Sequence, residues 1–534
     1  MQLSDSEFKN IFPFESPRNN QRDIIERIIS AFKNGKRYVI LNAPTGIGKS
    51  AIGYSVARYY GNATILTSQK VLQEQYYKDF MIPFVLGRAN YICQKNNTIT
   101  CEIGMCFRDP RRMCKDNKGC VTCPYQIAKE KCLNAPYSNL NYSYYLSFFG
   151  NDNDKNEVPA GFKDLLICDE CHNIESELLK QYSVKIDDLT LKFVGCNDVK
   201  IPDRRMSDNE KCRWLTNEMY ESIRANFLYL ASQLKSLTKL KSTKEYKKLA
   251  TKYSTVGTMA NAIGMIKEMY EKGETIVVTH DNVEEKIEFK MLHCNKLFEK
   301  CIGKRAKHFL FMSATVLNYK SYIKDIGLDE NLVEYIECDS VFPVENRLIH
   351  FSPVGSMSRK NKDATMPEMI KKIDKILKEN KNVKGIIHTV SYDVAEKIMN
   401  GLTFSDQSER LLMPRGMTKN LTLDVFYNSD KPYVLLSPAL MEGIDLKDDL
   451  SRLCIICKVP YANLGDKWTE MRMKESNEWY TTATCMNLIQ MTGRSIRSET
   501  DFAKTYILDK DFMTLAKNSI NIIPKWWQEA VILD

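Results

Sequence analysis

Eight residues, Ala43-Pro44-Thr45-Gly46-Ile47-Gly48-Lys49-Ser50, constrain the fold of this chain more than any other part of its sequence. They follow a strand-like run, Tyr38-Val39-Ile40-Leu41, and precede a helical pattern. Glycines in such a loop let backbone N–H groups converge on phosphate oxygens. The lysine reaches the β- and γ-phosphates, the serine hydroxyl ligates Mg2+, and the following helix offers its positive dipole end. Ala43 departs from the strict glycine at the first position. The layout calls for a parallel sheet covered by helices on both faces, and the rest of the sequence supplies one.

Ile24, Ile25, Ile28, Ile29 and Phe32 form an apolar helical stripe ahead of the first strand. Further strands are expected at 63–66, 165–168 and 309–312, and a second set at 385–387, 433–436, 453–456 and 506–508. The fold class is therefore α/β, with two parallel-sheet domains. Two segments interrupt the first. Residues 91–136 are rich in cysteine. Residues 186–292 read as mostly helical and end in a hairpin, 276–289, turning at Asp281-Asn282. The expected division is 1–90, 137–185 and 293–340 for domain 1, with insertions at 91–136 and 186–292, and 341–534 for domain 2.

Four later clusters sit at strand ends or on a helix. Cys168-Asp169-Glu170-Cys171-His172 closes one strand; an aspartate there can hold Mg2+ and the next glutamate can orient an attacking water. Ser313-Ala314-Thr315 closes another, and Glu442-Gly443-Ile444-Asp445 follows a strand of the second set. Gln490-Met491-Thr492-Gly493-Arg494-Ser495-Ile496-Arg497 places Arg494 and Arg497 at i and i+3 of an expected helix, on one face and able to reach a γ-phosphate from the neighbouring domain.

Taken in order, these motifs resemble those of superfamily 2 helicases, and their details resemble the iron–sulfur helicases of the XPD and DinG type. Gly87-Arg88-Ala89-Asn90-Tyr91-Ile92-Cys93, Cys123-Pro124-Tyr125, Asn141-Tyr142, Asp169 to Glu175, Phe342 to Arg347 and Gln21 all have counterparts there. The resemblance runs from about residue 12 to 515. It implies two RecA-like domains that sandwich ATP and Mg2+, a 4Fe–4S cluster insertion, a short helical arch, and movement 5′ to 3′ on single-stranded DNA with opening of duplex or forked DNA. Carried over residue by residue, Gln21, Ala43 to Ser50, Gly443, Asp445, Arg494 and Arg497 would bind nucleotide. Lys49, Asp169, Glu170, Gln490, Arg494 and Arg497 would serve catalysis, Ser50 and Asp169 would hold Mg2+, and His172, Ser313 and Thr315 would couple the domains. The compact size is similar to phage-type members.

Cysteine usage bears on the metal. Seven of the 17 cysteines lie between Cys93 and Cys132, in a chain whose N-terminus has no secretory pattern, so metal ligation outweighs disulfides. Thiolates without a histidine between 91 and 136 suit a 4Fe–4S cluster or a four-cysteine zinc site equally by ligand type. The resemblance favours iron–sulfur, with four of Cys93, Cys106, Cys114, Cys120 and Cys123 as ligands. Cys101 is a further possibility, and Cys132, in a helical run, reads as a structural thiol.

A formal charge of +9 permits a polyanionic partner, and no run of about 18 apolar residues offers a membrane span. The expectation is a cytoplasmic monomer without a specified protein partner. The segment 91–136 carries a local basic excess beside Tyr91, Phe107 and Tyr125, which suits a strand-guiding surface or a solvated basic face. An RNA or RNA–DNA hybrid helicase, and a zinc-bearing nucleic-acid scaffold with a degenerate ATPase, are the alternatives.

Overall fold

Short apolar runs that end in loops become strands buried on both faces. Tyr38–Asn42 and Ala63–Thr67 are buried along their whole length. The computed structural model describes residues 2–18, 20–94, 96–102, 123–150, 161–236, 244–281, 285–438, 446, 448–493, 496 and 501–533. Within these, the first sheet has six parallel strands in the order Val333–Glu337, Tyr38–Asn42, Ala306–Ser313, Lys163–Asp169, Ala63–Thr67 and Tyr137–Asn141. The four strands expected from sequence occupy its centre. The two that were not expected lie at its edges, where fewer apolar residues are needed.

One face of this sheet packs on the helix Gln21–Lys33. Its isoleucine stripe, Ile24, Ile25, Ile28 and Ile29, joins Val39, Leu41, Ile167 and Leu310 in one core. The opposite face, with Ile40, Leu166, Phe309 and Phe311, is covered by Tyr142, Tyr145 and Leu178. The aromatic stretch 137–149 thus divides into the edge strand and a helix, Tyr142–Phe149, that fills this second core.

A second sheet has seven parallel strands in the order Leu411–Leu412, Val434–Ser437, Gly385–His388, Leu453–Ile456, Lys504–Asp509, Ile349–Gly355 and Val531–Leu533. It too is cored on both faces, around Leu435, Cys454 and Ile507 on one and Leu436, Ile455 and Leu508 on the other. Two RecA-like domains are thereby in place.

Between the Lys163–Asp169 and Ala306–Ser313 strands, the chain makes a three-stranded antiparallel sheet, Val184–Ile186, Lys286–Met291 and Ile276–Asp281, surmounted by the helices Tyr220–Ser236 and Lys244–Glu271. The expected hairpin is there. Of the lysine run, Lys235 and Lys248 are exposed, which is the behaviour of a solvated helix face. The cysteine-rich segment contributes an antiparallel pair, Ile92–Cys93 with Asn96–Thr100, and the helix Pro124–Asn134.

Phe311 is fully buried at the centre of the first sheet. Replacing it with alanine is expected to cost about 3–5 kcal/mol through lost transfer energy and a residual cavity. A lowered denaturant midpoint of the full chain, followed by circular dichroism, checks this.

Candidate nucleotide site and its domain junction

The phosphate loop lies where the sequence places it, between the Tyr38–Asn42 strand and the helix Lys49–Tyr60. Gly46 and Gly48 have φ of +89° and +82°, in the left-handed region that favours glycine. Neighbouring side chains press on both. A Cβ on Gly48 would lie 2.2 Å from the Gln21 amide nitrogen, and one on Gly46 would lie 2.1 Å from the tip of the Phe342 ring. Gln21 is buried, and its Nε2 donates to the Ile47 carbonyl at 2.8 Å. Arg18 Nη1 donates to the Gly46 carbonyl at 2.7 Å. Ala43 and Pro44 are buried at the loop's start, Thr45 and Ser50 are half-buried, and Lys49 Nζ donates to the Ala43 carbonyl at 3.1 Å. The loop is therefore held in shape from outside, with its lysine turned back over it.

Register brings the second motif to the same edge. Asn42 pairs with Ser313, and Met312 pairs with Asp169, so all three strands end together. Asp169 is 4% exposed and accepts hydrogen bonds from the Tyr76 hydroxyl at 3.0 Å and from the Glu170 N–H at 3.1 Å. Burial, reinforced by the Glu170 charge, pushes its carboxyl up to about 6, against the pull of Lys49. Burial also raises the Tyr76 phenol, which keeps it a donor. Glu170 adopts φ of +50°, a conformation costly for a non-glycine residue that turns its side chain away from the strand direction. Cys171, standing where the family pattern has alanine, is fully buried, and its carbonyl accepts from Tyr322 at 3.1 Å.

His172 joins the two domains. Gln490 Nε2 lies 2.8 Å from His172 Nε2 and 3.3 Å from the Thr315 hydroxyl. An amide nitrogen can only donate, so His172 Nε2 accepts and Nδ1 carries the proton. That Nδ1 faces Ser313 Oγ at 2.7 Å and Glu170 Oε2 at 3.4 Å. Ser313 Oγ in turn accepts from the Thr315 N–H at 3.1 Å. One neutral imidazole thus connects Glu170, the Ser-Ala-Thr turn and a helix of domain 2, Asn477–Thr492. Gly443, Asp445, Arg494 and Arg497 lie outside the described residues.

Of the five candidate cysteine ligands, Cys93 and Cys123 are described and buried, whereas Cys106, Cys114 and Cys120 lie outside the described residues. Cys101, weighed only as a possibility from the sequence, faces Cys123 with the sulfurs 3.9 Å apart. Burial and the nearby Cys123 and Cys93 thiols push Cys101 up to about 12. The facing Cys101 and Cys123 thiols, with Cys93 near them, are of the donor type that a thiolate-bound metal takes. Among the described residues no group of three or more His, Cys, Asp or Glu is arranged around a metal position. Cys132 is fully buried, and its thiol points to the carbonyls of Pro83 and Asn139, which makes it the structural thiol expected. Next to the cysteines, the Arg88 guanidinium lies over the Tyr125 ring at 4.7 Å and Lys129 over the half-exposed Phe148 at 4.2 Å.

Sequence reasoning missed Arg18, Tyr76 and the seating of Phe342 on Gly46. Arg18 stands three residues before Gln21, a short-range signal that could have drawn attention to it. Tyr76 meets Asp169 from 93 residues away, and no local pattern marks that contact.

Comparison with known proteins agrees with this geometry. Residues 15–193 match the family described as Type III restriction enzyme, res subunit, and residues 373–530 match the family described as Helicase C-terminal domain. A protein described as a probable ATP-dependent helicase of Methanocaldococcus jannaschii is 27% identical over 213 residues, covering 34% of this chain and 32% of that protein, so the match spans about a third of the relative's length. Among solved structures, S. tokodaii Xpd4 superposes over 97% of this chain and 100% of its own, with a TM-score of 0.59 and 16% identity. A structure titled XPD helicase covers 98% of this chain and 100% of its own, with a TM-score of 0.63 and 15% identity. Fold and family matches together give an α/β chain of two RecA-like domains, the second of them matching a helicase C-terminal domain. More narrowly, the architecture is XPD-like.

The buried Asp169 carboxyl sets a pH dependence. Because its folded value is raised, the stability it contributes is complete below the unfolded value near 3.8 and is lost as pH rises through about 6. Asp169→Asn removes the charge, keeps one oxygen to accept from the Glu170 N–H, and turns an amide N–H toward the Tyr76 oxygen. The nucleotide-free variant is expected to melt higher than the parent at pH 8, by an equivalent of about 3 kcal/mol, with the gap closing toward pH 4. Calorimetry across that range measures it.

Proposed function

We propose that this chain is an ATP-dependent helicase that moves along single-stranded DNA, 5′ to 3′, and opens duplex or forked DNA. The observation that carries the reading is the His172 junction, since it ties the residue pair at the phosphate site to a helix of the other domain. The motifs that reach it are those of a motor. Residues 1–90, 137–185 and 293–340 form domain 1 in this reading, 341–534 form domain 2, 91–136 is the cluster insertion and 186–292 the arch.

In this mechanism the phosphate loop binds the ATP phosphates through its backbone N–H groups and Lys49, which leaves the Ala43 carbonyl to do so. Ser50 and Asp169 hold Mg2+, which supplies positive charge to the phosphates when bound. Glu170, bent out of the strand by its left-handed backbone, positions and activates the attacking water. Arg494 and Arg497 stabilise the charge on the transferring phosphate, a contribution of about 10³–10⁵ in rate for such groups. As that charge appears and leaves, the Glu170 side chain shifts its hold on His172 Nδ1, and Gln490 passes the change to domain 2. Arg18, Gln21 and Phe342 keep the loop shaped while this happens.

Cys93, Cys101 and Cys123, with one further cysteine from 106, 114 and 120, would hold a 4Fe–4S cluster. Such a cluster cross-links the insertion without a large core. Arg88, Lys129 and Phe148 beside it offer cation and ring surfaces of the kind that track a single strand.

Two measurements test this. Glu170→Gln is expected to lower DNA-stimulated ATP turnover by about 10²–10⁴-fold with ATP binding retained; unchanged turnover refutes the motor. Unwinding of 5′-tailed but not 3′-tailed duplexes checks polarity, and a stronger response to single-stranded RNA than to DNA moves the substrate class to RNA. For the cluster, anaerobically purified protein is expected to contain about four irons and to absorb near 400 nm, with both falling in Cys101→Ser. One zinc and no iron replaces the cluster by a zinc site.

A further inference from the structure

Domain 2 grips domain 1 at a second point, one turn beyond His172. Arg472 lies on the helix Lys467–Glu475 of domain 2 and is 3% exposed. Its Nη2 donates to Glu175 Oε1 and to Asp325 Oδ1, each at 2.9 Å, and its Nη1 faces His293 Nδ1 at 2.7 Å. The guanidinium carbon lies 4.8 Å from the Trp479 ring centre, and the Trp479 indole N–H donates to the other Glu175 oxygen at 3.4 Å.

The three partners come from three different places. Glu175 follows His172 at i+3 on the helix that leaves the Asp169-Glu170 turn, Ile174–Gln181. Asp325 belongs to the helix Tyr319–Ile326, which follows the Ser-Ala-Thr turn. His293 lies just past the Lys286–Met291 strand, at the base of the helical insertion, and its Nε2 pairs with Glu475 of domain 2 at 3.0 Å. Trp468, on the same helix as Arg472, donates its indole N–H to the Met291 carbonyl at 2.9 Å and carries Lys290 over its ring at 3.6 Å. A cavity of about 320 Å3 opens beside Arg472, lined by Leu179, Tyr322, Trp468, Trp479 and Met486.

We propose that Arg472 is a positioning residue through which nucleotide-driven movement of domain 2 reaches both the Asp169-Glu170 helix and the base of the helical insertion. The inference rests on the motor reading above and goes beyond it, by assigning transmission to the insertion to one side chain. A buried ion pair is a poor source of net stability, because desolvation offsets attraction. It is a good register device, since a planar guanidinium holding two carboxylates tolerates few alternative arrangements. His172–Gln490 senses the reacting end of that helix, and Arg472 holds the next turn and the insertion together.

The test uses the full chain with Arg472→Lys and Arg472→Gln, and Glu175→Gln as an independent break of the same contact. Basal ATP turnover without DNA is expected to stay within about twofold, while oligo-dT stimulation and 5′-tailed duplex unwinding fall about tenfold in the glutamine variants and less in the lysine variant, with KM for ATP unchanged. Hydrogen exchange gives a readout that packing alone would not move. In the parent, a slowly hydrolysed ATP analogue with Mg2+ is expected to change protection of 286–294; in Arg472→Gln that response disappears while the far-ultraviolet circular dichroism of the nucleotide-free protein is kept. Basal and stimulated turnover falling together with a lowered melting temperature, or an undiminished exchange response, overturns the proposal. A parent without nucleic-acid-stimulated turnover overturns the motor reading instead.

Discussion

The parallel register of three strands is the constraint on which the site depends. Asn42 lies level with Ser313, and Asp169 one residue behind, so three segments far apart in sequence deliver a phosphate loop, a carboxylate pair and a hydroxyl turn to one edge. Slipping any of these strands by one residue would turn its terminal side chain to the opposite face. The register is fixed by cores on both faces, with Ile40, Phe309 and Phe311 on one and Val39, Leu41 and Leu310 on the other. Such strands have no polar face to trade against, which is why the sheet can carry costly groups at its end.

Two such groups are Asp169 and Glu170. A carboxylate buried to 4% exposure is pushed toward its neutral form, and a glutamate at φ of +50° is held against its backbone preference. Each is unfavourable taken alone. Tyr76 and the Glu170 N–H offset part of the first, and the tight turn into the following helix enforces the second. In the function proposed above, the first is offset when a divalent cation arrives, since the charge that burial penalises is then what the ligand needs.

Legibility from sequence followed range of interaction. The phosphate loop, the isoleucine stripe, the eight central strands and the 276–289 hairpin are local patterns, and each appeared in place. The edge strands Val333–Glu337, Leu411–Leu412 and Val531–Leu533 carry too few apolar residues for periodicity to mark them. The approach of Cys101 to Cys123 was not legible, because spacing says only which cysteines are near in the chain, and this contact is a matter of how a hairpin meets a helix N-terminus. Arg472 was invisible for the same reason, with partners 297 and 147 residues away.

The Gln490 and Arg472 contacts between the domains differ in kind, and the difference has mechanical meaning. His172 and Gln490 meet through neutral hydrogen bonds, each worth only about 1 kcal/mol net, so the junction can break and reform as the nucleotide changes. Arg472 and its two carboxylates are charged and buried, and separating them without water would leave an uncompensated charge on both sides. Of these two contacts, the one that the proposed motor would open at lower cost is the Gln490 end, with the Arg472 cluster kept. In the proposed motor, a pivot at that cluster would place the larger displacement at the phosphate loop and the smaller at the insertion base.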